Sequence, residues 1–245
     1  MKSGLIRFLH FLFGYGRYLY VFSIFKISTL WCFRKKWDYL YFVNSLKSTS
    51  NVVIVGASTG ITTIPLSKKC NNGKILAYEP IRINYNTILR LIKYYDVKNT
   101  TAYNVGLGNI SNTSVSMYIP IIKGVKKQGM AYVNDNSITG YMNCIEEKVI
   151  IDCLDNRKEL NDLRIDGIKL IAENFELEIL KGAEKTITKH KPVIYCELWN
   201  NAKRLHTIEM IKTFGYKVYF RKKGELRLFD NSQYKGRNLF FIPQQ

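Results

Sequence analysis

The chain has 245 residues, 47% hydrophobic and 13% aromatic; it can bury a large core in one α/β domain and is too apolar for a disordered chain. Its formal net charge of +18 favours acidic surroundings such as phosphates, anionic headgroups or nucleic acid, and says nothing of the fold. The five cysteines are scattered without a C-x-x-C pair, and His10, His190 and His206 lack metal-ligand spacing, which argues against a disulfide framework or a metal site and for a reduced, cytoplasmic setting.

Residues 1–50 form an N-terminal segment in which Met1 to Phe42 differ in composition from the rest and Lys47 to Ser50 read as the link into the main domain. Leu, Phe, Tyr and Trp dominate, interrupted by Arg7, Arg17, Lys26 and the run Arg34-Lys35-Lys36. A spanning helix needs about 20 mostly apolar residues, and Arg17 and Lys26 break the run before that length. No small-residue cleavage site follows it. One or two amphipathic helices are expected, capping a substrate cleft, lying peripherally on an anionic inner membrane face through residues 1–42, or both.

From residue 51 to 245 the pattern alternates. Asn51–Gly56 is a short β-branched run, as in a parallel strand buried on both faces. Ile61 to Cys70 reads as a helix, Lys74–Glu79 as a strand, and Arg82 to Tyr95 as a helix with Ile83, Ile88, Leu91 and Ile92 on one face. Thr101 to Val105 is a third strand. Ser111 to Asp155 (111–155) reads as a turn-rich insertion forming a rim over the substrate side. Then come a strand at Ile168–Ala172, a helix at Glu176–Lys189, a strand at Pro192–Glu197 and a helix at Ala202–Phe214. Tyr216–Phe220 and Asn238–Ile242 close the domain as a strand pair joined by a basic loop. The expected fold is a Rossmann-like, doubly wound, mostly parallel α/β sheet with an antiparallel C-terminal strand and an N-terminal helical segment.

The strongest local signal is Gly56-Ala57-Ser58-Thr59-Gly60 after the first strand. In such folds ligands bind at the carboxyl ends of the strands. Gly56 permits a tight turn, and Gly60 would open a helix whose free N–H groups favour a carboxylate. The next strand ends in Glu79-Pro80, where a carboxylate can accept bonds from both hydroxyls of a ribose. NAD is the rival ligand, but Ala57-Ser58 stand where its fingerprint has a second glycine. Asn104, Val105 and Gly106 end the third strand, where an adenine edge would lie.

From about Asn51 to Pro243 the chain resembles the FkbM-type methyltransferases. The resemblance is carried by Val52–Gly60, Ala77-Tyr-Glu-Pro80 with Asn84, Asn104–Gly108, Val149–Asp155, Ile168-Lys169, Glu173, Glu176–Ala183, Pro192–Leu198 and Asn238-Leu-Phe. It implies a class I fold, S-adenosylmethionine as methyl donor and O-methylation, often of sugars. The chain departs from the family pattern at Ile54 and Ile171, where acids are usual, and at Asn174, where glycine is usual.

Methyl transfer to a hydroxyl needs in-line alignment and a positioned proton acceptor. Glu173, after the fourth strand, is the expected base or substrate anchor, or else a structural acid capping the following helix; Glu197, ending the fifth strand, is the second candidate. The favoured acceptor is a saccharide hydroxyl, on a glycan or lipid-linked intermediate. On the membrane reading, deletion of Met1 to Phe42 would release the protein from membranes while donor binding persists. A nucleic-acid methyltransferase is disfavoured, because Glu173-Asn174-Phe175 stands where base-amine enzymes resemble one another in an Asn/Asp-Pro-Pro-aromatic motif. A binding protein that kept the fold without the acids of positions 54 and 171 is the other alternative.

Overall fold

The computed structural model describes residues 13–32, 37–133 and 143–244. After helices α1 (Tyr15–Ser28) and α2 (Trp37–Ser45) come β1 (Val52–Val55), α3 (Thr63–Lys69), β2 (Ile75–Tyr78), α4 (Arg82–Tyr94) and β3 (Thr100–Tyr103). Short strands β4 (Gly106–Leu107), β6 (Val125–Lys126) and β7 (Tyr132–Val133) surround the long pair β5 (Thr113–Ile122) and β8 (Cys144–Asp152). The chain continues through β9 (Gly167–Leu170), α5 (Glu176–Lys181), α6 (Glu184–His190), β10 (Val193–Glu197) and α7 (Ala202–Thr213). It ends in β11 (Tyr216–Lys222), β12 (Glu225–Leu228) and β13 (Asn238–Pro243).

The main sheet runs β12-β11-β13-β10-β9-β1-β2-β3. β10, β9, β1, β2 and β3 are parallel, and β13 enters antiparallel between β10 and β11, pairing Ile194 with Phe241 and Val218 with Phe241. This is the expected doubly wound sheet with its reversed final strand. β1 has partners on both edges, so all four of its residues are buried, which is why it reads as an unbroken apolar run. Successive side chains alternate between faces. Val53 and Val55 pack with α5, α6 and α7 through Ile179, Ile187 and Ile208. Val52 and Ile54 pack with α2 and α3 through Phe42 and Leu66.

β2 continues to one side of β1 and β9 lies on the other, so the order of the sheet reverses between β1 and β9. A crevice opens at the carboxyl ends of strands at such a point. Over it stands a second sheet, in which β8 pairs antiparallel with β5 from Thr113↔Ile151 to Pro120↔Cys144 and parallel with β4. This sheet begins at Gly106, ahead of Ser111.

Several expectations are corrected. Helix α3 starts at Thr63, not Ile61, because residues from Gly60 onward form turns and Gly60 sits at φ 85°. The single helix expected over Glu176–Lys189 is two, broken at Gly182. A Cβ there would lie 1.8 Å from the Gly108 carbonyl oxygen, so this backbone touches the turn after β4 and admits only glycine. The first part of the basic loop expected after β11 is regular: Lys223 (φ 52°) and Gly224 (φ 95°) make a two-residue turn that pairs Lys222 with Glu225 and adds β12 to the edge.

The described part of the N-terminal segment packs onto the domain. Tyr39 and Phe42 of α2 are 2% and 0% exposed, and they pack beside Tyr195 of β10. Removing Met1 to Phe42 would therefore open the core, so that deletion does not isolate a membrane contact. Among the described residues, no helix is long and apolar enough to cross a membrane.

Candidate active site

Gly56 ends β1 with φ 68°, and a Cβ on it would lie 1.9 Å from the Ile171 carbonyl oxygen. Only glycine fits where the ends of β1 and β9 meet. The turn that follows is stitched to β2: Ala57 N–H donates to the Tyr78 carbonyl at 3.1 Å and Ser58 N–H to Glu79 Oε2 at 2.7 Å. Glu79 Oε1 accepts the Ile81 N–H at 3.0 Å and Asn84 Nδ2 at 3.1 Å.

Glu79 is 4% exposed. Burial pushes its pKa up, while bonds from Asn84, Ile81 and Ser58 and the charge of Lys169 pull it back. A carboxylate offers about four lone-pair sites, and three are taken by these protein donors. One site on Oε2 is left. That oxygen is where a ligand hydroxyl could donate to Glu79.

Beyond the turn lies a cavity of about 490 Å³, within the range of about 300–1,000 Å³ usual for small-molecule sites. Gly56, Ala57, Ser58, Glu79 and Pro80 form one end, and Gly106, Leu107, Ile151, Phe175 and Ile179 give an apolar side. Lys169, Ile171, Glu173 and Glu197 come from the ends of β9 and β10, while Met117, Gln128 and Ala131 come from the second sheet and its loops. The remaining wall is α1, with Phe22 and Lys26, together with Leu30 just beyond it.

Four expected donor-site residues do not line this cavity. Thr59 Oγ1 instead accepts the Ser23 hydroxyl of α1 at 2.8 Å, which anchors the capping helix. Gly60 spends its N–H on Ala57 O at 3.0 Å and packs against Ile88 and Leu91. Asn104 Nδ2 holds the Glu79 and Pro80 carbonyls at 3.0 and 2.8 Å. Val105 sits in the core. Asn104 thus fixes the turn that carries Glu79 from outside the cavity.

Three acids gather at the ends of β9 and β10. Burial and the nearby Glu197 push the Glu173 carboxyl up to about 7, against the pull of Arg237, Lys169 and a bond from the Trp199 side chain. Glu197 is held by Arg237 at 3.6 Å, whose guanidinium lies 4.9 Å over the Trp199 ring. Glu176 accepts the Ala172 N–H at 2.8 Å and is pushed up to about 7, chiefly by burial. The cap on the turn entering α5 is therefore Glu176 itself, and Glu173 is left facing the cavity. Lys169, 3% exposed, donates to the Gly56 carbonyl at 2.8 Å.

The three departures from the family pattern have different consequences. Ile54 is fully buried against α2 and α3 and is absent from the cavity wall. Ile171 does line the cavity and makes that part of it apolar. Asn174 has φ 74°, a conformation made for glycine that asparagine tolerates better than other residues. Its Oδ1 accepts Asn201 Nδ2 at 2.7 Å.

Sequence reasoning missed Phe22, Lys26, Ile151 and Phe175. α1 is apolar on most of its circumference and carries no periodic signal for the side that meets the cavity. The glycine turn, the buried acid and the flat apolar flank suit an adenosyl group, so the residues present fit S-adenosylmethionine.

Comparison with known proteins agrees with this geometry. Residues 55–218 match the family model described as the methyltransferase FkbM domain. Methyltransferase sdnD of Sordaria araneosa is 24% identical over 201 residues, covering 73% of this chain and 78% of that protein. Methyltransferase 1 of Beauveria bassiana is 24% identical over 162 residues, 60% of this chain and 64% of its own. The crystal structure of methyltransferase FkbM from Methylobacillus flagellatus superposes with a TM-score of 0.52 at 16% identity, which bears on the fold alone. The match covers 80% of this chain and 44% of that one, so the chain spans under half of its length. With the family model covering most of a chain whose buried acid, glycine turn and open crevice suit an adenosyl methyl donor, the protein belongs to the FkbM methyltransferases.

Proposed function

We propose that the protein is an S-adenosylmethionine-dependent O-methyltransferase acting on a saccharide hydroxyl. The observation that carries this is Glu173, an acid at the end of β9 that faces the cavity and is pushed up to about 7. A carboxylate poised near neutrality suits removal of a hydroxyl proton as the oxygen attacks.

S-adenosylmethionine supplies a methyl group on a sulfonium, open to in-line attack. Glu79 would hold one ribose hydroxyl, and the side formed by Leu107, Ile151 and Phe175 would receive the adenine. Glu173 would accept the acceptor proton at a carboxylate oxygen, with Glu197 and Arg237 setting its charge. The apolar walls, including Ile171 and Phe22, would exclude water from the line of attack.

The reading includes contact of the protein with an anionic membrane surface. α1 buries Leu19, Ser23 and Ile27, yet the opposite side exposes Val21 and Phe25, with Phe13 just before it. A helix apolar on both sides, in a surface position, suits an interface between water and lipid. Of the expected membrane segment, residues 1–12 and 33–36 lie outside the described residues.

The test is transfer of an isotope-labelled methyl group from the donor to a panel of mono- and oligosaccharides, read by NMR of the new carbon. A methoxy signal on a sugar carbon is expected. Label found only on nitrogen or carbon, or only on RNA, would overturn the reading.

A further inference from the structure

Phe22 of α1 lines two cavities at once. One is the cavity described above, which Lys26 also lines; the other is a groove of about 510 Å³ on the outer side of α1, formed with Phe13, Tyr18, Val21 and Phe25 and bordered by Arg17 and Arg90. Its apolar side chains are exposed, Val21 by 63% and Phe25 by 56%. Lys26 Nζ stands 5.5 Å from the centre of the Phe22 ring, so a cation sits where the two spaces adjoin. The helix that separates them is fixed on the catalytic side by Ser23 and Thr59 and braced by Arg90, which donates to the Gly16 carbonyl at 3.3 Å.

We infer that the acceptor is an anionic amphiphile: its hydrocarbon chain lies in the outer groove of α1, its phosphate-like group at the Lys26 junction, and its hydroxyl-bearing head in the cavity. This rests on the proposed hydroxyl acceptor and adds how that acceptor is carried. A hydrocarbon chain matches an exposed groove of rings that water solvates poorly. A negative group matches the three cations, Arg17, Lys26 and Arg90, spaced along the same path. The two spaces share the Phe22 ring, and the inferred acceptor crosses from one to the other over it.

The experiment uses the full chain and dodecyl phosphate below its micelle concentration, with inorganic phosphate as reference and S-adenosylhomocysteine as a separate probe of the donor end. Dodecyl phosphate should bind at least tenfold tighter than phosphate, because its chain buries apolar surface. The double variant Val21→Ser/Phe25→Ser, both positions exposed, should weaken it about tenfold and leave S-adenosylhomocysteine affinity unchanged. Lys26→Ala should weaken dodecyl phosphate by a similar factor, about tenfold, through loss of a charge-assisted contact.

Equal affinity for phosphate and dodecyl phosphate would overturn the inference. So would indifference to Lys26→Ala while the double variant still detaches the protein from phosphatidylglycerol vesicles, since α1 would then be a surface contact only. If S-adenosylhomocysteine itself does not bind, the methyltransferase reading fails independently of this inference.

Discussion

The Ser58 amide donates to Glu79 Oε2 at 2.7 Å, so the turn after β1 and the end of β2 share one buried carboxylate. Asn84 and Ile81 hold its other oxygen. Glutamine at this position would present an amide donor to at least one of these donors. Glu79→Gln should therefore cost about 1–3 kcal/mol of stability in urea unfolding and weaken S-adenosylhomocysteine binding by at least tenfold. Unchanged donor affinity in a folded Glu79→Gln protein would remove Glu79 from the donor site.

Glu173 predicts a pH profile. With its carboxyl raised to about 7, the ionised base is scarce in acid, and kcat/KM should climb with pH and level off above neutrality. Glu173→Gln should lower kcat by at least about a hundredfold and abolish that acidic limb while leaving donor affinity intact. A variant retaining the limb would assign it to another group.

Lys169 sets the position of that limb. Its cation favours the ionised forms of both Glu173 and Glu79. Lys169→Met, close in volume, should shift the acidic limb of kcat/KM to higher pH. An unmoved limb would mean that Lys169 acts structurally, as in its bond to the Gly56 carbonyl.

Glu176 predicts the pH dependence of stability. Its folded value, about 7, lies above the ordinary 4.5, so the folded state holds its proton longer than the unfolded chain does. Below 4.5 both states are protonated and the group costs nothing. Between 4.5 and 7 the unfolded chain ionises first, and stability should fall by on the order of 3 kcal/mol before levelling. Glu176→Gln, which keeps an acceptor for the Ala172 N–H, should remove this contribution and reduce the slope in urea titrations at a series of pH values, leaving the part due to Glu173, also raised to about 7. An equal slope in the variant would place its origin elsewhere.

Asn174 separates backbone strain from side-chain bonding. Asn174→Gly relieves a positive φ but loses the bond from Asn201, two effects of about 1 kcal/mol each and opposite sign. Its stability should stay near that of the parent. Asn174→Ala keeps the strain and loses the bond, and should be less stable than the parent by about 1 kcal/mol. Equal stability of the two variants would show that the conformation carries no strain.

The parallel core was legible because β1 and β2 are buried on both faces and so appear as apolar runs. The acid ending β2 was legible because strand and glycine turn lie a fixed distance apart in chain order. What could not be read were close approaches between distant backbones. Nothing near Gly182 announces the carbonyl of Gly108, and nothing near Gly60 says that its N–H is already spent. β12 did leave a signal, the Lys223-Gly224 pair followed by alternating Glu225-Leu-Arg-Leu, and the surrounding positive charge hid it. The place of α1 was hidden for another reason: its apolar residues satisfy a cap and a lipid contact equally.

The contact between Gly182 and Gly108 bears on how molecules come and go. With backbone pressed on backbone there, the flank where the second sheet joins α5 has no slack to part. Entry and exit should then pass on the opposite flank, where α1 presents Phe22 and Lys26 to the cavity. Amides of α1 should exchange with deuterium faster than those of residues 106–108, and ligand release should track the loosening of that helix.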